Sequence, residues 1–121
     1  MRPLLIASAV ASLAFGQIAL ADTAEAGSFR SHKNYKVSGS ATLVKSGSGH
    51  AIKLSGFRTT SGPDLYVYVG SGGPSRRIAK LRRTSGSQTY KLPASVKPGS
   101  ITTVHIHCKR FNSTFGTASL K

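Results

Sequence analysis

Short runs of apolar and β-branched residues alternate with polar residues from about position 37 to the end of the chain. They predict strands over 37–44, 51–57, 65–69, 77–81, 88–92, 101–108 and 114–120. Val, Ile, Thr and Tyr favour strands, and the intervening Gly, Ser and Pro are typical of turns. No long segment repeats its apolar residues every 3.6 positions, as an amphipathic helix does. The pattern predicts an all-β domain, an antiparallel β-sandwich or small barrel of about seven strands.

The N-terminal segment has a different pattern, in which one arginine precedes an apolar run that ends in Ala-Leu-Ala. This arrangement is typical of a signal peptide over 1–21, with an alternative cleavage site after Ala26, and it leaves a β domain over 27–121. The alternative is an uncleaved anchor, but Gly16 and Gln17 interrupt a run that is already short for a bilayer span. We therefore predict a periplasmic or secreted protein that does not span the membrane after cleavage.

The chain is strongly basic, with Lys+Arg 17, Asp+Glu 3 and a formal net charge of +14. Asp64 is the only acidic residue within 27–121. Such a balance favours anionic partners such as lipid head groups, acidic polysaccharide or an acidic envelope protein. The densest cluster, a candidate anion-binding surface, contains Arg76, Arg77, Lys80, Arg82 and Arg83. It lacks interleaved aromatic residues, and export also disfavours nucleic acid as a partner. The simpler alternative is a solvated surface that keeps the protein soluble.

The strand predicted over 101–108 ends in TTVHIHC, and successive residues of a strand point to opposite faces. One face is apolar and carries Val104, Ile106 and Cys108. The other carries Thr103, His105 and His107. In an undistorted strand the thiol and the two imidazoles therefore cannot bind the same metal. Only a bulge near His107 would bring them together, and nothing in the sequence requires one.

Cys108 is the only cysteine of the chain, so no internal disulfide is available to it. Three interpretations remain open from the residues themselves. The thiol is a small buried hydrophobic group beside Val104 and Ile106, or it is a reactive or ligating thiol whose thiolate Lys109 and Arg110 would stabilise. The third is a disulfide between chains. Covalent c-type haem is excluded, because the sequence contains no C-x-x-C-H.

His105 and His107 offer two imidazoles to zinc or copper, which is an incomplete site by itself. We expect instead that both side chains lie on a solvated outer face. Asp64, in SGPDLYVYVG, is expected to accept backbone hydrogen bonds or to pair with a cation. With so few acids and no G-x-S-x-G, a hydrolytic triad, a carboxylate pair or a calcium site is disfavoured.

Several segments together resemble the DM-thirteen domain, the electron transfer DM family. They are GSFRSHKNYKVSGSATLV, LSGFRTTSGPDLYVYV, SGSQTYKLP and VHIHCKRFNSTFGTASL, in the order and spacing of that family. The most specific parts are Gly62 to Tyr68 and Cys108 to Leu120. The resemblance implies an exported or cell-surface β domain with a shared cysteine, a bare thiol or a ligand to a prosthetic group such as haem. That role is carried over to Cys108 alone.

One position departs from the family. An aromatic residue, usually Trp, typically precedes the cysteine, whereas this chain has His107 and no Trp. A histidine there is a candidate proton partner or additional ligand to the Cys108 site. The interpretation favoured by the sequence is a redox or electron-transfer domain centred on Cys108 and acting with a partner protein. The rival is a non-enzymatic cationic binding module in which Cys108 is structural, and a metal-handling protein using His105 and His107 ranks third.

Overall fold

In the computed structural model, residues 25–121 are described, so the predicted signal peptide 1–21 lies outside the described residues. Within these residues, eight strands and one short 3-10 helix follow one another along the chain. The strands are β1 (Glu25–Ser31), β2 (Val37–Ser46), β3 (Gly49–Thr59), β4 (Leu65–Gly70), β5 (Arg76–Lys80), β6 (Gln88–Lys91), β7 (Thr103–Cys108) and β8 (Ser113–Ser119). The 3-10 turn (Pro98–Ser100) precedes β7. The prediction of an antiparallel all-β sandwich or barrel is confirmed.

All strand pairs are antiparallel, in the order β5-β4-β7-β8-β1-β2-β3-β6. Strand β1 joins two halves of the structure. Its first residues, Glu25 to Ser28, pair with β2, and Phe29 to Ser31 pair with β8. The chain therefore forms two packed sheets that share one strand, which is a nearly closed barrel.

Strand β1 was not among the predicted strands, because its sequence EAGSFRS carries no apolar alternation. Phe29 is its only buried residue. The backbone of β1 nevertheless lies inside the sheet, with ladders on both sides. Its Gly27 permits a close approach, since a Cβ there would lie 1.8 Å from the Ser119 carbonyl oxygen. Strand β1 is thus held by backbone pairing and close packing. Neither produces a periodic pattern of apolar residues in the sequence.

The remaining gap in the barrel lies between its two edge strands, β5 and β6, and contacts from the segment after β5 bridge it to β6. The Arg82 backbone N–H donates to the Tyr90 hydroxyl at 2.9 Å, and its guanidinium donates to the Thr89 carbonyl at 2.7 Å. The same guanidinium lies over the Tyr90 ring, 4.3 Å from its centroid. Buried Gln88 accepts from the Tyr90 hydroxyl and donates to the Arg83 carbonyl. These contacts satisfy polar groups that a continued ladder would otherwise bond.

The inward side chains of all the strands form one apolar core. Its fully buried members include Ile52, Leu54, Val67, Val104 and Ile106. Each such aliphatic side chain contributes about 1.5–3 kcal/mol by leaving water. The core places β7 centrally, between β4 and β8, where both its backbone edges are paired.

Candidate functional site

Strand β7 holds the residues that the sequence singled out, and all six of them are buried. The inner face carries Val104, Ile106 and Cys108, each 0% exposed. The predicted apolar face is therefore confirmed, and the Cys108 thiol is free and belongs to the core cluster. Cys108 is also the last residue of the strand, paired with Leu65 on β4 and with Ser113 on β8.

A tight turn over 109–112 directly follows Cys108 along the chain. The Lys109 N–H donates to the Asp64 carbonyl at 2.9 Å, and the Asn112 N–H donates to the Lys109 carbonyl at 3.2 Å. Asn112 has a φ of 51°, in the left-handed region that Asn tolerates better than most residues. Phe111 is 58% exposed and is the exposed large hydrophobic residue of the described part of the chain. The chain thus passes from buried Cys108 directly into a short solvent-facing turn.

The opposite face of β7 is also buried, so the expectation of solvated histidines was wrong. His105 is 1% exposed and His107 is 6% exposed. Hydroxyl groups replace water around His105. Its Nε2 lies 2.8 Å from Thr103 Oγ1, and its Nδ1 lies 3.0 Å from Thr117 Oγ1. Because a hydroxyl both donates and accepts, a neutral imidazole is satisfied at both nitrogens.

Burial changes the acid–base behaviour of His105. Desolvation lowers its pKa from 6.5 to about 4, and the nearby His107 and His32 add repulsion against its charged form. The nearby Gly73 backbone favours the charged form and opposes this lowering of the pKa. The ring is therefore neutral near pH 7. The Thr117 hydroxyl also bonds Nε2 of exposed His32 at 3.0 Å, so a chain of hydrogen bonds joins buried His105 to the surface.

His107 has its own set of partners. Its Nδ1 lies 2.9 Å from Thr114 Oγ1, and its Nε2 lies 3.2 Å from Asn112 Oδ1, which ties the ring to the turn beside Cys108. The ring also meets Tyr68 edge-on, with centroids 4.9 Å apart. A bulge does occur here, but its extra residue is Phe115, in β8. The alternation of β7 is preserved, so the bulge does not bring His107 to the thiol.

These contacts bear on ligand binding. Across residues 25–121, no group of three or more His, Cys, Asp or Glu side chains is arranged to hold a metal ion. Both nitrogens of His105 and of His107 already bond neighbouring side chains. A haem would need an open slot beside the Cys108 sulfur, which instead has no exposed surface and is packed among core side chains. The residues present do not fit a haem.

The predicted structural role of Asp64 is confirmed. Its carboxylate lies 3.5 Å from the Lys80 ammonium, and its backbone carbonyl accepts from Lys109. The pair is partly exposed, so we assign it little stability. It does place a β5 cation beside the segment that leads into β4.

The basic cluster is exposed and lies along β5 and the segment after it. Most of its members have fixed local contacts. Arg76 donates to Ser95 Oγ at 2.7 Å and Arg83 donates to the Ser87 carbonyl at 2.6 Å. Arg77 and Lys80 lie over the Tyr66 ring, 5.2 and 5.1 Å from its centroid. The cluster is therefore an ordered surface, which the linear charge count does not reveal.

Sequence reasoning placed Thr103 on the face of the two histidines but missed the other hydroxyl and tyrosine residues near them: Thr114, Thr117, Tyr66 and Tyr68. One signal was available. Tyr66 and Tyr68 alternate with apolar residues in LYVYV, and register pairs them with His107 and His105 respectively. Pairing partners across strands are not visible in one sequence, so the network emerged only with the fold.

Among residues 25–121, no helix has the length and apolar character needed to cross a membrane.

The sequence profile of a known family, described as Electron transfer DM13, matches residues 28–120, which is nearly all of the part that the structure describes. No curated protein and no solved structure matches the chain significantly.

Proposed function

The chain belongs to the Electron transfer DM13 family, and from this membership we propose that it is an exported electron-transfer domain whose redox group is the Cys108 thiol. The observation that carries the thiol's role is its position. Cys108 ends β7 beside the 109–112 turn, and the Lys109 to Asp64 hydrogen bond is the first cross-strand bond beyond the strand. Opening of this turn gives a reagent access to the sulfur while the barrel stays folded.

The chemistry follows from having one thiol. The Cys108 thiolate attacks one sulfur of a disulfide on a partner protein, a Cys108–partner S–S bond forms, and the partner's S–S bond breaks. The departing sulfur leaves as a thiolate with the electron pair. Cys108 is oxidised to the mixed disulfide and the partner's other cysteine is reduced. Exposed Lys109 and Arg110 follow the thiol directly and attract an acidic partner surface.

The test is the labelling rate of Cys108 by a thiol reagent, measured from zero urea up to the unfolding transition. Opening of the turn alone predicts a rate that is nearly independent of urea at low concentration. If the thiol is reached only through global unfolding, the logarithm of the labelling rate should rise linearly with urea concentration. Its slope should then equal the full urea dependence of the free energy of unfolding, divided by RT. The second result, together with no mixed disulfide by intact mass after incubation with oxidised glutathione, would overturn the proposal. Cys108→Ser is the blank for both measurements.

Export is supported by the apolar N-terminal segment, and strand β1 bears on the choice of cleavage site. Strand β1 starts at Glu25, and the Ala26 carbonyl accepts from the Lys121 N–H at 3.2 Å. Cleavage after Ala26 would remove two residues of the strand, whereas cleavage after Ala21 leaves it whole. We therefore favour cleavage after Ala21. The intact mass of the protein from its native compartment tests this, and a mass that retains residue 1 would contradict export with cleavage.

A further inference from the structure

A pocket opens at the end of the barrel that also contains Cys108. Leu65 lines it, and Leu65 is the β4 residue paired with Cys108. Three cations also line it: Lys80, Arg82 and Arg83. Thr84 and Ser85 complete its polar wall, while Arg76 and Arg77 are not part of the lining. Of the five residues of the basic cluster, the pocket is therefore lined by Lys80, Arg82 and Arg83.

The two arginines are held in place before any ligand arrives. The Arg82 guanidinium bonds the Thr89 carbonyl and lies over the Tyr90 ring, and Arg83 bonds the Ser87 carbonyl. Each contact uses one terminal nitrogen of a guanidinium that has five N–H donors. Fixed side chains lose little entropy when they bind, which favours recognition of a ligand.

Little negative charge opposes these cations. Within the described residues, the ion pair present joins Lys80 to Asp64, at 3.5 Å, and neither arginine has a carboxylate partner. Adjacent cations on one concave surface repel each other, and an oxyanion would relieve the repulsion while accepting bidentate hydrogen bonds from a guanidinium.

From this arrangement we infer that the pocket is an oxyanion site that takes a phosphate group, held by Lys80, Arg82 and Arg83 with the hydroxyls of Thr84 and Ser85. This inference does not depend on the redox role of Cys108.

The test is titration of the whole mature domain with inorganic phosphate, followed by amide NMR shifts at constant ionic strength. We expect saturable shifts centred on residues 80–85. The double variant Lys80→Gln/Arg83→Gln should weaken binding at least about tenfold, since each lost charge-assisted bond accounts for about that factor. Arg30→Gln/Lys45→Gln removes the same charge at exposed positions outside the pocket and should bind as the wild type does. Arg83→Lys keeps the positive charge but loses the paired N–H donors of the guanidinium. Its affinity for phosphate should fall between that of the wild type and that of Lys80→Gln/Arg83→Gln.

Equal weakening in both double variants would show a general field effect and overturn the site, as would shifts that do not saturate. Unfolding in urea establishes that each variant is folded. Phosphate-bearing lipid is the other source of the same group, so cosedimentation with phosphatidylglycerol vesicles is compared with phosphatidylcholine vesicles. Vesicle binding that phosphate competes away assigns the site to a head group, and phosphate binding without vesicle binding assigns it to a soluble phosphate.

Discussion

Strand β7 buries both of its faces, and it does so by different means. The inner face is dry because Val104, Ile106 and Cys108 pack into the apolar core. The outer face is dry although it carries His105 and His107, because threonine hydroxyls and an asparagine amide replace the water. Apolar burial needs only volume, whereas polar burial needs a partner for each atom. The two faces should therefore respond differently to substitution and to pH.

The largest effect is expected on the inner face. Ile106→Ala should lower the free energy of unfolding by about 2–5 kcal/mol, because it leaves a cavity at a fully buried position. The effect should be the same at pH 7 and pH 5, since no ionisable group is changed. Urea unfolding at both pH values measures it. A loss below 1 kcal/mol would show that the core relaxes around the missing atoms.

The contribution of the outer face to the free energy of unfolding should depend on pH. Folding lowers the His105 pKa to about 4 from 6.5, so the unfolded chain binds the proton first as the pH falls. The stability due to neutral His105 is complete above pH 6.5, declines between pH 6.5 and 4, and is then lost. The expected loss is at most about 3 kcal/mol.

The control for this pH effect is His105→Gln, which keeps a polar side chain but removes the titration. The variant changes no other ionisable group, so the difference between the two unfolding curves isolates His105. Parallel pH dependence of the wild type and the variant would contradict the assignment.

A polar atom placed on the inner face should also be costly. Cys108→Ser puts a hydroxyl at a fully buried apolar position and should destabilise the domain by about 1–3 kcal/mol. Cys108→Ala removes the sulfur without adding a polar group. Urea unfolding of both variants separates the two contributions, and a Ser variant as stable as the Ala variant would indicate that a hydrogen-bond partner is available beside residue 108.

The comparison of the two faces also marks what the sequence can predict. Alternation in TVHIHC is a local property, so the apolar face and the place of Cys108 on it followed from the sequence, while burial of the thiol was one of three open interpretations. Buried His105 is bonded to Thr117, twelve residues away on another strand. Strand β1 was missed for a related reason, because backbone pairing leaves no hydrophobic period. Contacts of this kind require the register of strands that one sequence does not display.

The smallest effects should separate the two histidines of the outer face. Thr117→Val keeps the side-chain shape and removes the hydroxyl that His105 Nδ1 and His32 share, so it should cost about 1–2 kcal/mol. Thr114→Val does the same for His107, which lies beside the solvent-facing turn where water can replace the lost partner, so it should cost less than about 1 kcal/mol. Urea unfolding at pH 7 measures both. If Thr114→Val lowers the free energy of unfolding by more than about 1 kcal/mol, the turn beside Cys108 is more firmly closed than the redox proposal requires. The thiol labelling rate of that variant should then be higher than that of the wild type.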